Sequence, residues 1–229
     1  MRIDILTLFP DLMKEMTHHA MIKRTQEAGN LDLYIHHFRE DTLDKHGRVD
    51  DTPYGGGAGM VLQVEPIVRR LRTIPGYEKA QKIVLSPQGP TYHQDEAVAL
   101  SKKEHLILIC GHYEGFDERL MHYVDAELSI GDYILNGGEI AAWVIVESVG
   151  RLLPGALHNP ESTGEESFSD GLLEYPQYTK PAVFEGHAVP EVLLSGHHQN
   201  IQVWRHQERL KKTKKNRPDL YQKHLDKKQ

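Results

Sequence analysis

Three glycine-containing turns hold the residues of this chain whose types and spacing best suit ligand binding. They are residues 86–89 (SPQG), 110–115 (CGHYEG) and 129–139 (SIGDYILNGGE). Glycine permits backbone turns that a Cβ atom would block, and such turns expose N–H and C=O groups to a ligand. Because each turn follows a short apolar run, we expect the three to meet at the carboxyl ends of a parallel sheet and hold one flat ligand.

A second set of chemically capable residues lies further along the chain. Arg151 ends an apolar helical run, and Glu165, Glu166 and Asp170 follow in a polar stretch. A carboxylate can accept a proton, and an arginine can stabilise developing negative charge. By residue type alone, however, acids in a polar stretch are more often solvated, and a cation at a helix end is more often structural.

Other motifs exclude several kinds of chemistry. The glycine loop at 54–60 (YGGGAGM) lacks the Lys-Ser/Thr pair of a Walker A motif, which favours a surface loop. The fifteen histidines show no zinc-ligand spacing backed by acids, so no metal site is predicted. Cys110 is the only cysteine, which excludes an intramolecular disulfide and a cysteine-based zinc site. Its apolar neighbours predict a buried, inert thiol.

Charge is unevenly distributed along the 229 residues, whose net charge is −6. Residues 204–229 hold ten Lys or Arg and three acids, a net charge of +7, which leaves −13 on residues 1–203. A basic end on an acidic body fits either a solvated helix face or an arm that contacts phosphates. No apolar run approaches a membrane span, and the first residues show no signal-peptide pattern, so we expect a cytoplasmic protein.

The elements that must position the turns form an alternating pattern. We predict strands at 2–9, 31–37, 82–85, 105–110 and 125–128, and helices at 10–28, 63–72, 94–103 and 140–149, with a helical turn at 118–122. This alternation indicates an α/β fold with a mostly parallel sheet covered on both faces. The polar, glycine-rich segment 39–60 is too long for an ordinary turn, which is typical of a functional or mobile loop.

A change of character after Pro154-Gly155 divides the chain into predicted domains. Residues 1–155 form the α/β domain, 156–171 a flexible linker and 172–229 a small, basic helical domain. The last contains a long helix at 200–216 and a final helix that begins at Arg217-Pro218.

Taken together, the motifs resemble those of the bacterial tRNA (guanine-N1)-methyltransferases, knotted enzymes of the SPOUT class that modify guanosine 37 beside the anticodon. The matching stretches cover nearly the whole chain, in order. They lie at 4–10 (DILTLFP), 50–60 (DDTPYGGGAGM), 86–89, 109–119 (ICGHYEGFDER), 129–139, 151–155 (RLLPG), 167–181 (SFSDGLLEYPQYTKP), 189–198 (VPEVLLSGHH) and 204–205 (WR).

The resemblance implies a deep trefoil knot whose loops bind S-adenosylmethionine as cosubstrate. The implied ligands are Gly111, the stretch Ile130, Gly131, Asp132, Tyr133, Ile134 and Leu135, and parts of Ser86, Pro87, Gln88 and Gly89. The implied pocket walls are Tyr113, Glu114, Gly115, Gly137 and Gly138. Asn136 stands where the family commonly has threonine, another small polar residue.

The resemblance also implies roles for the second set of residues. Arg151 matches the family's catalytic arginine, which stabilises charge on the guanine oxygen. Glu166 occupies the position of the aspartate that removes the guanine proton, with one methylene more. Asp170 lies close by and is the rival base. A divalent ion such as Mg²⁺ could assist proton transfer, but the sequence offers no dedicated ligand cluster.

The implied partners are tRNA with guanosines at positions 36 and 37, and a second copy of the chain. In the family a homodimer builds the active site between subunits, and the basic C-terminal stretch would meet tRNA phosphates. Two alternatives stay open: an RNA-binding homologue with weakened catalysis, supported by the glutamate at 166, and a knotted methyltransferase acting on ribosomal RNA. The long C-terminal domain and the motif order speak against the second.

Overall fold

A computed structural model describes residues 1–18, 20–156 and 166–226. It divides into two compact units, Met1–His158 and Asn159–Gln229. The division falls within the predicted linker, of which residues 157–165, including Glu165, lie outside the described ranges. Of the predicted helical domain, residues 227–229 also lie outside them.

The first unit is an α/β structure. In chain order its elements are β1 Arg2–Thr7, α1 Pro10–Met16, α2 Ala20–Glu27, β2 Asp32–His37, β3 Asp50–Asp51, β4 Val61–Leu62, α3 Val64–Thr73, β5 Gln81–Leu85, α4 Gln94–Leu100, β6 His105–Cys110, β7 Ala126–Leu128 and α5 Glu139–Gly150, with 3₁₀ helices at Phe38–Asp41 and Glu118–Tyr123. Five strands form one sheet in the order β2-β1-β6-β5-β7, and every neighbouring pair is parallel.

Two apolar clusters cover the two faces of this sheet. Ile3 and Ile5 of β1 point to one face, where they pack with residues of α1, α2 and α5. Leu6 points to the other face, beside Phe38 and residues of α3. Strands buried on both faces read as continuous apolar runs, as β6 (HLILIC) does. The predicted α/β class, with a parallel sheet covered on both faces, is therefore confirmed.

The first predicted helix, 10–28, is wrong as a single element, because it is divided into α1 and α2. The Thr17 hydroxyl donates to the Lys14 carbonyl at 2.7 Å and so competes with the helical pattern at the break.

The segment 39–60 is not wholly irregular. The antiparallel pair β3–β4 encloses the glycine loop, and the Glu114 N–H donates to the Met60 carbonyl at 3.0 Å. The glycine loop is thereby tied to the second glycine turn.

The second unit consists of a hairpin and three helices within its described residues. Strands β8 Val183–Phe184 and β9 His187–Ala188 pair across a turn, and α6 Glu191–Leu194, α7 His198–Asn216 and α8 Pro218–Asp226 follow. The two predicted helices correspond to α7 and α8, whereas the hairpin and α6 are too short to leave a periodic pattern. Among the helices described in both units, none has the length and apolar content to cross a membrane.

Candidate active site

The three glycine turns meet at the carboxyl edge of the adjacent strands β6, β5 and β7, as predicted. Together they line one cavity of about 250 Å³. Of the predicted cofactor residues, those in the lining are Ser86, Pro87, Gln88, Gly111, Tyr113, Glu114, Gly115, Ile130, Gly131, Tyr133, Ile134, Leu135, Gly137 and Gly138. Gly89 and Asp132 lie outside the lining, so the structure does not bring these two residues to the cavity wall.

Close backbone packing explains several of the glycines. The Gly138 N–H donates to the Gly111 carbonyl at 2.8 Å, which joins the third turn to the second. A Cβ atom on Gly138 would lie 2.7 Å from the Cα of Cys110, and one on Gly89 would lie 2.7 Å from the backbone of Glu127. Gly89 therefore serves the packing of the first turn against β7 in this structure.

A buried polar network that includes His112 of the cavity wall was not predicted from sequence. Glu139, only 3% exposed, accepts a hydrogen bond from the Thr7 hydroxyl at 2.5 Å, and its other oxygen lies 2.8 Å from His112 Nε2. The Thr7 oxygen in turn accepts from the Phe9 N–H at 2.8 Å. The network joins the end of β1, the second turn and the start of α5, and so fixes His112 in the cavity wall.

The charge state of this network follows from its contacts. Burial by itself would raise the pKa of Glu139, but the hydrogen bonds from His112 and Thr7 outweigh it and hold that pKa below its ordinary value. Glu139 begins α5, where a carboxylate also interacts favourably with the helix dipole. One signal in the sequence could have pointed to this network: Glu139 is an acid that stands between two glycines and an apolar helical run.

Cys110 is a buried, unreactive thiol, as predicted. Its side chain is fully buried in the apolar cluster, and burial raises the pKa of its thiol well above the ordinary value. A thiol protonated at neutral pH is a poor nucleophile. Within residues 1–18, 20–156 and 166–226, no three His, Cys, Asp or Glu side chains are grouped to hold a metal ion.

The predicted catalytic residues belong to different units. Arg151 caps the carboxyl end of α5, where its N–H donates to the Glu147 carbonyl at 3.1 Å. Glu166 and Asp170 lie together in a compact loop of the second unit, in which the Ser169 N–H donates to the Glu166 carbonyl at 3.2 Å.

Asp170 has a charged partner, Arg209 of α7. Partial burial would raise the pKa of Asp170, but the hydrogen bonds from Arg209 and the Leu172 N–H, together with the charge of Arg209, outweigh it, and the pKa lies below its ordinary value. A carboxylate engaged in this way is a weaker proton acceptor.

Nearly the whole chain is similar to one family of known proteins. The model of the tRNA (guanine-1)-methyltransferase family TrmD matches residues 1–223. The chain belongs to this family. The resemblance seen in the motifs is thereby confirmed.

Similar TrmD-family proteins come from several bacteria, and each bears the name tRNA (guanine-N(1)-)-methyltransferase. The protein of Brevibacillus brevis is 53% identical over 224 residues, which cover 97% of this chain and 92% of the relative. One from Clostridium botulinum strain Eklund 17B is 52% identical, with 96% and 92% covered. One from Staphylococcus aureus is 48% identical, with 98% and 92% covered.

Proposed function

We propose that this protein transfers a methyl group from S-adenosylmethionine to N1 of guanosine 37 in tRNA. The observation that carries the proposal is the single cavity made by three glycine turns at the carboxyl edge of the sheet, in a chain of the TrmD family. The cytoplasm, where this substrate is found, is the compartment that the proposal implies.

The cavity suits this cosubstrate. Its walls combine backbone groups of the turns with apolar side chains such as Ile130 and Leu135, which match a flat adenine with a polar edge. At Gly137 and Gly138 an added Cβ atom would clash with His112 and with the backbone of Cys110, so glycine lets the third turn pack closely against the second. S-adenosylmethionine supplies an activated methyl group on a sulfonium, so the protein has to position it and prepare the nucleophile.

Preparation of the nucleophile falls to the two predicted catalytic residues. The guanine nitrogen carries a proton, and we assign the removal of this proton to the Glu166 carboxylate. As the proton leaves, negative charge develops on the guanine oxygen, and the Arg151 guanidinium is assigned to stabilise it. Glu166 is assigned ahead of Asp170 because it occupies the position of the family's aspartate. The ion pair with Arg209 lowers the proton affinity of Asp170 itself.

Binding of tRNA is assigned to the second unit. Its helix α7 exposes Lys211, Lys212, Lys214 and Lys215, a basic surface suited to phosphates. We take guanosines at positions 36 and 37 as the recognised feature of the tRNA.

A homodimer is assigned from the surface of the first unit. Helix α5 is apolar nearly throughout, yet its Ile140 is 47% exposed and its Val144 is 38% exposed. A second copy of the chain would remove these side chains from water.

The test is methylation of unmodified tRNA transcripts with labelled S-adenosylmethionine. We expect label at N1 of guanosine 37 in a transcript with guanosines at 36 and 37, and none in a matched transcript with adenosine at 37. Absence of label where the Brevibacillus brevis relative is active would refute the proposal. Binding of both ligands without turnover would identify an RNA-binding homologue. Label on a ribosomal RNA fragment alone would identify a knotted methyltransferase acting on ribosomal RNA.

Two substitutions at one position test the base. Glu166→Gln should lower the single-turnover rate by about 10²–10⁴-fold, the usual contribution of a general base. Glu166→Asp keeps the carboxylate and should retain far more activity than Glu166→Gln. The assay is run with added Mg²⁺ and with a chelator, which measures any metal assistance separately.

A further inference from the structure

The loop that carries Glu166 has a conformation that requires support. Phe168 has a φ of 77°, in the left-handed region, although it is not a glycine and is 42% exposed. Such a residue persists only where the surrounding structure holds it. Inside the loop the Phe168 N–H donates to the Leu172 carbonyl at 2.8 Å, and the Glu174 N–H donates to the Ser167 hydroxyl at 2.9 Å.

Helix α7 supplies the external support through two residues one turn apart. Arg209 Nη1 donates to Asp170 Oδ2 at 2.9 Å, Nη2 donates to Oδ1, and Nε donates to the Leu173 carbonyl at 3.3 Å. The buried Thr213 hydroxyl accepts from the Leu173 N–H at 2.9 Å. Residues at i and i+4 share one face of a helix, so both anchors hold the same side of the loop.

Asp170 also connects the anchor to the inside of the loop. Its Oδ1 accepts from the Leu172 N–H at 3.2 Å while the same carboxylate receives the guanidinium of Arg209. The Arg209 side chain is only 13% exposed, whereas that of Asp170 is 51% exposed. Both oxygens of Asp170 are therefore engaged by this unit, and the loop rests on a planar, two-point contact rather than on a single mobile charge.

We propose that Asp170 and Arg209 are a positioning pair, which fixes the Glu166 loop to helix α7 so that the base moves with the tRNA-binding helix. The proposal rests on the proposed function for the role of Glu166. Its physical basis is that Glu166 is four residues from Asp170 in a loop closed by its own hydrogen bonds. Phosphate contacts along α7 would then set the place of the carboxylate relative to the guanine.

The first test compares single-turnover methylation of Asp170→Asn, Arg209→Gln and the double variant. Loss of the anchor should displace the base by a distance on the order of 1 Å, for which we expect a decrease of about 10- to 100-fold. Both single variants should be slow, and the double variant should be little slower than Arg209→Gln, because each removes the ion pair between Asp170 and Arg209. Arg209→Gln also removes the hydrogen bond to the Leu173 carbonyl and should be at least as slow as Asp170→Asn. Arg209→Lys, which keeps the charge, should be intermediate.

The pH profile separates positioning from proton transfer. With Asp170 as a positioning residue, Asp170→Asn lowers the rate at every pH but leaves the acidic limb in place, because the base itself is unchanged. If Asp170 were the base, Asp170→Asn would abolish that limb, and Arg209→Gln would move it to higher pH. Either of those results overturns the proposal. Affinity for S-adenosylmethionine, measured by calorimetry, should remain within about 2-fold, since the cavity lies in the first unit.

A matched control comes from a second Asp–Arg pair in the same unit. Arg217 Nε donates to Asp219 Oδ1 at 2.9 Å at the start of α8, far along the chain from the loop. Asp219→Asn removes the same kind of contact and should change the rate less than 2-fold. A decrease equal to that of Asp170→Asn would refute a specific role for the anchor.

Amide hydrogen exchange tests the anchor without reference to methylation. Arg209→Gln should speed exchange at Leu172, Leu173 and Glu174, and Asp219→Asn should not. If wild-type protein methylates no RNA but Arg209→Gln shows this change, the proposed function fails while the anchor stands. Unchanged exchange in Arg209→Gln refutes the anchor even if methylation is observed. Circular dichroism confirms that each variant is folded before these comparisons.

Discussion

Gly138→Ala is the substitution for which the structure makes the sharpest prediction. Gly138 has a φ of −81°, which alanine adopts readily, so the backbone conformation itself presents no obstacle. The added Cβ atom, however, would lie 2.7 Å from the Cα of Cys110 and 2.8 Å from the N of Gly111. Both are backbone atoms at the end of a central strand and cannot rotate away.

The size of the effect follows from these distances. Carbon atoms in contact lie about 3.5–4.0 Å apart, so the third turn must retreat by roughly 1 Å from the second. The hydrogen bond from the Gly138 N–H to the Gly111 carbonyl would lengthen or break, at a cost of about 1 kcal/mol. Crowding of this kind destabilises a fold by about 1–3 kcal/mol, and a 1 Å misplacement lowers a rate by about 100-fold.

The measurements are calorimetric binding of S-adenosylmethionine, methylation of tRNA, and unfolding by urea. We expect a binding constant weaker by about 10-fold or more, together with the decreases above. Gly29→Ala is the control, because Gly29 has a φ of 72° with nothing within 4 Å of its added Cβ atom. It should lose stability through backbone strain and leave binding unchanged. Wild-type affinity and rate in folded Gly138→Ala would refute the steric reasoning.

Three further predictions concern buried groups. Glu139→Gln should cost on the order of 1–3 kcal/mol in urea unfolding and weaken cosubstrate binding, because His112 and Thr7 lose a charged acceptor; unchanged stability would contradict the network. Burial would raise the pKa of Asp4, but hydrogen bonds, chiefly from Arg2, lower it from 3.8 to about 2. The contribution of Asp4 to the stability of the fold is therefore complete above pH 3.8 and is lost as the pH falls towards 2. Wild type should lose on the order of 1–2 kcal/mol across that range, while Asp4→Asn, less stable at pH 7, should show a flatter acid profile. Cys110 should react with iodoacetamide only as fast as the protein unfolds, and rapid labelling of native protein would disprove its burial.

Local patterns in the sequence account for the elements that position the site. The apolar run at 105–110 is β6 with the same bounds, and the run at 140–149 is α5 with one more residue at each end. Short-range signals suffice here because side-chain periodicity and glycine placement act within a few residues. The order of the motifs likewise identified the family, and alternation of strands and helices placed the three turns at one edge of the sheet.

Contacts between distant residues were decided only by the tertiary structure. Thr7 and Glu139 are 132 residues apart, and Asp170 and Arg209 are 39 apart, yet each pair is joined by hydrogen bonds. No periodicity links such partners, because each side chain taken alone looks like an ordinary polar residue. The sequence by itself could therefore name Glu166 and Asp170 as rival bases, whereas the packing of a loop on α7 showed that Asp170 is held by Arg209. The difference is physical: local propensity selects elements, but burial and charge pairing depend on what the completed fold brings together.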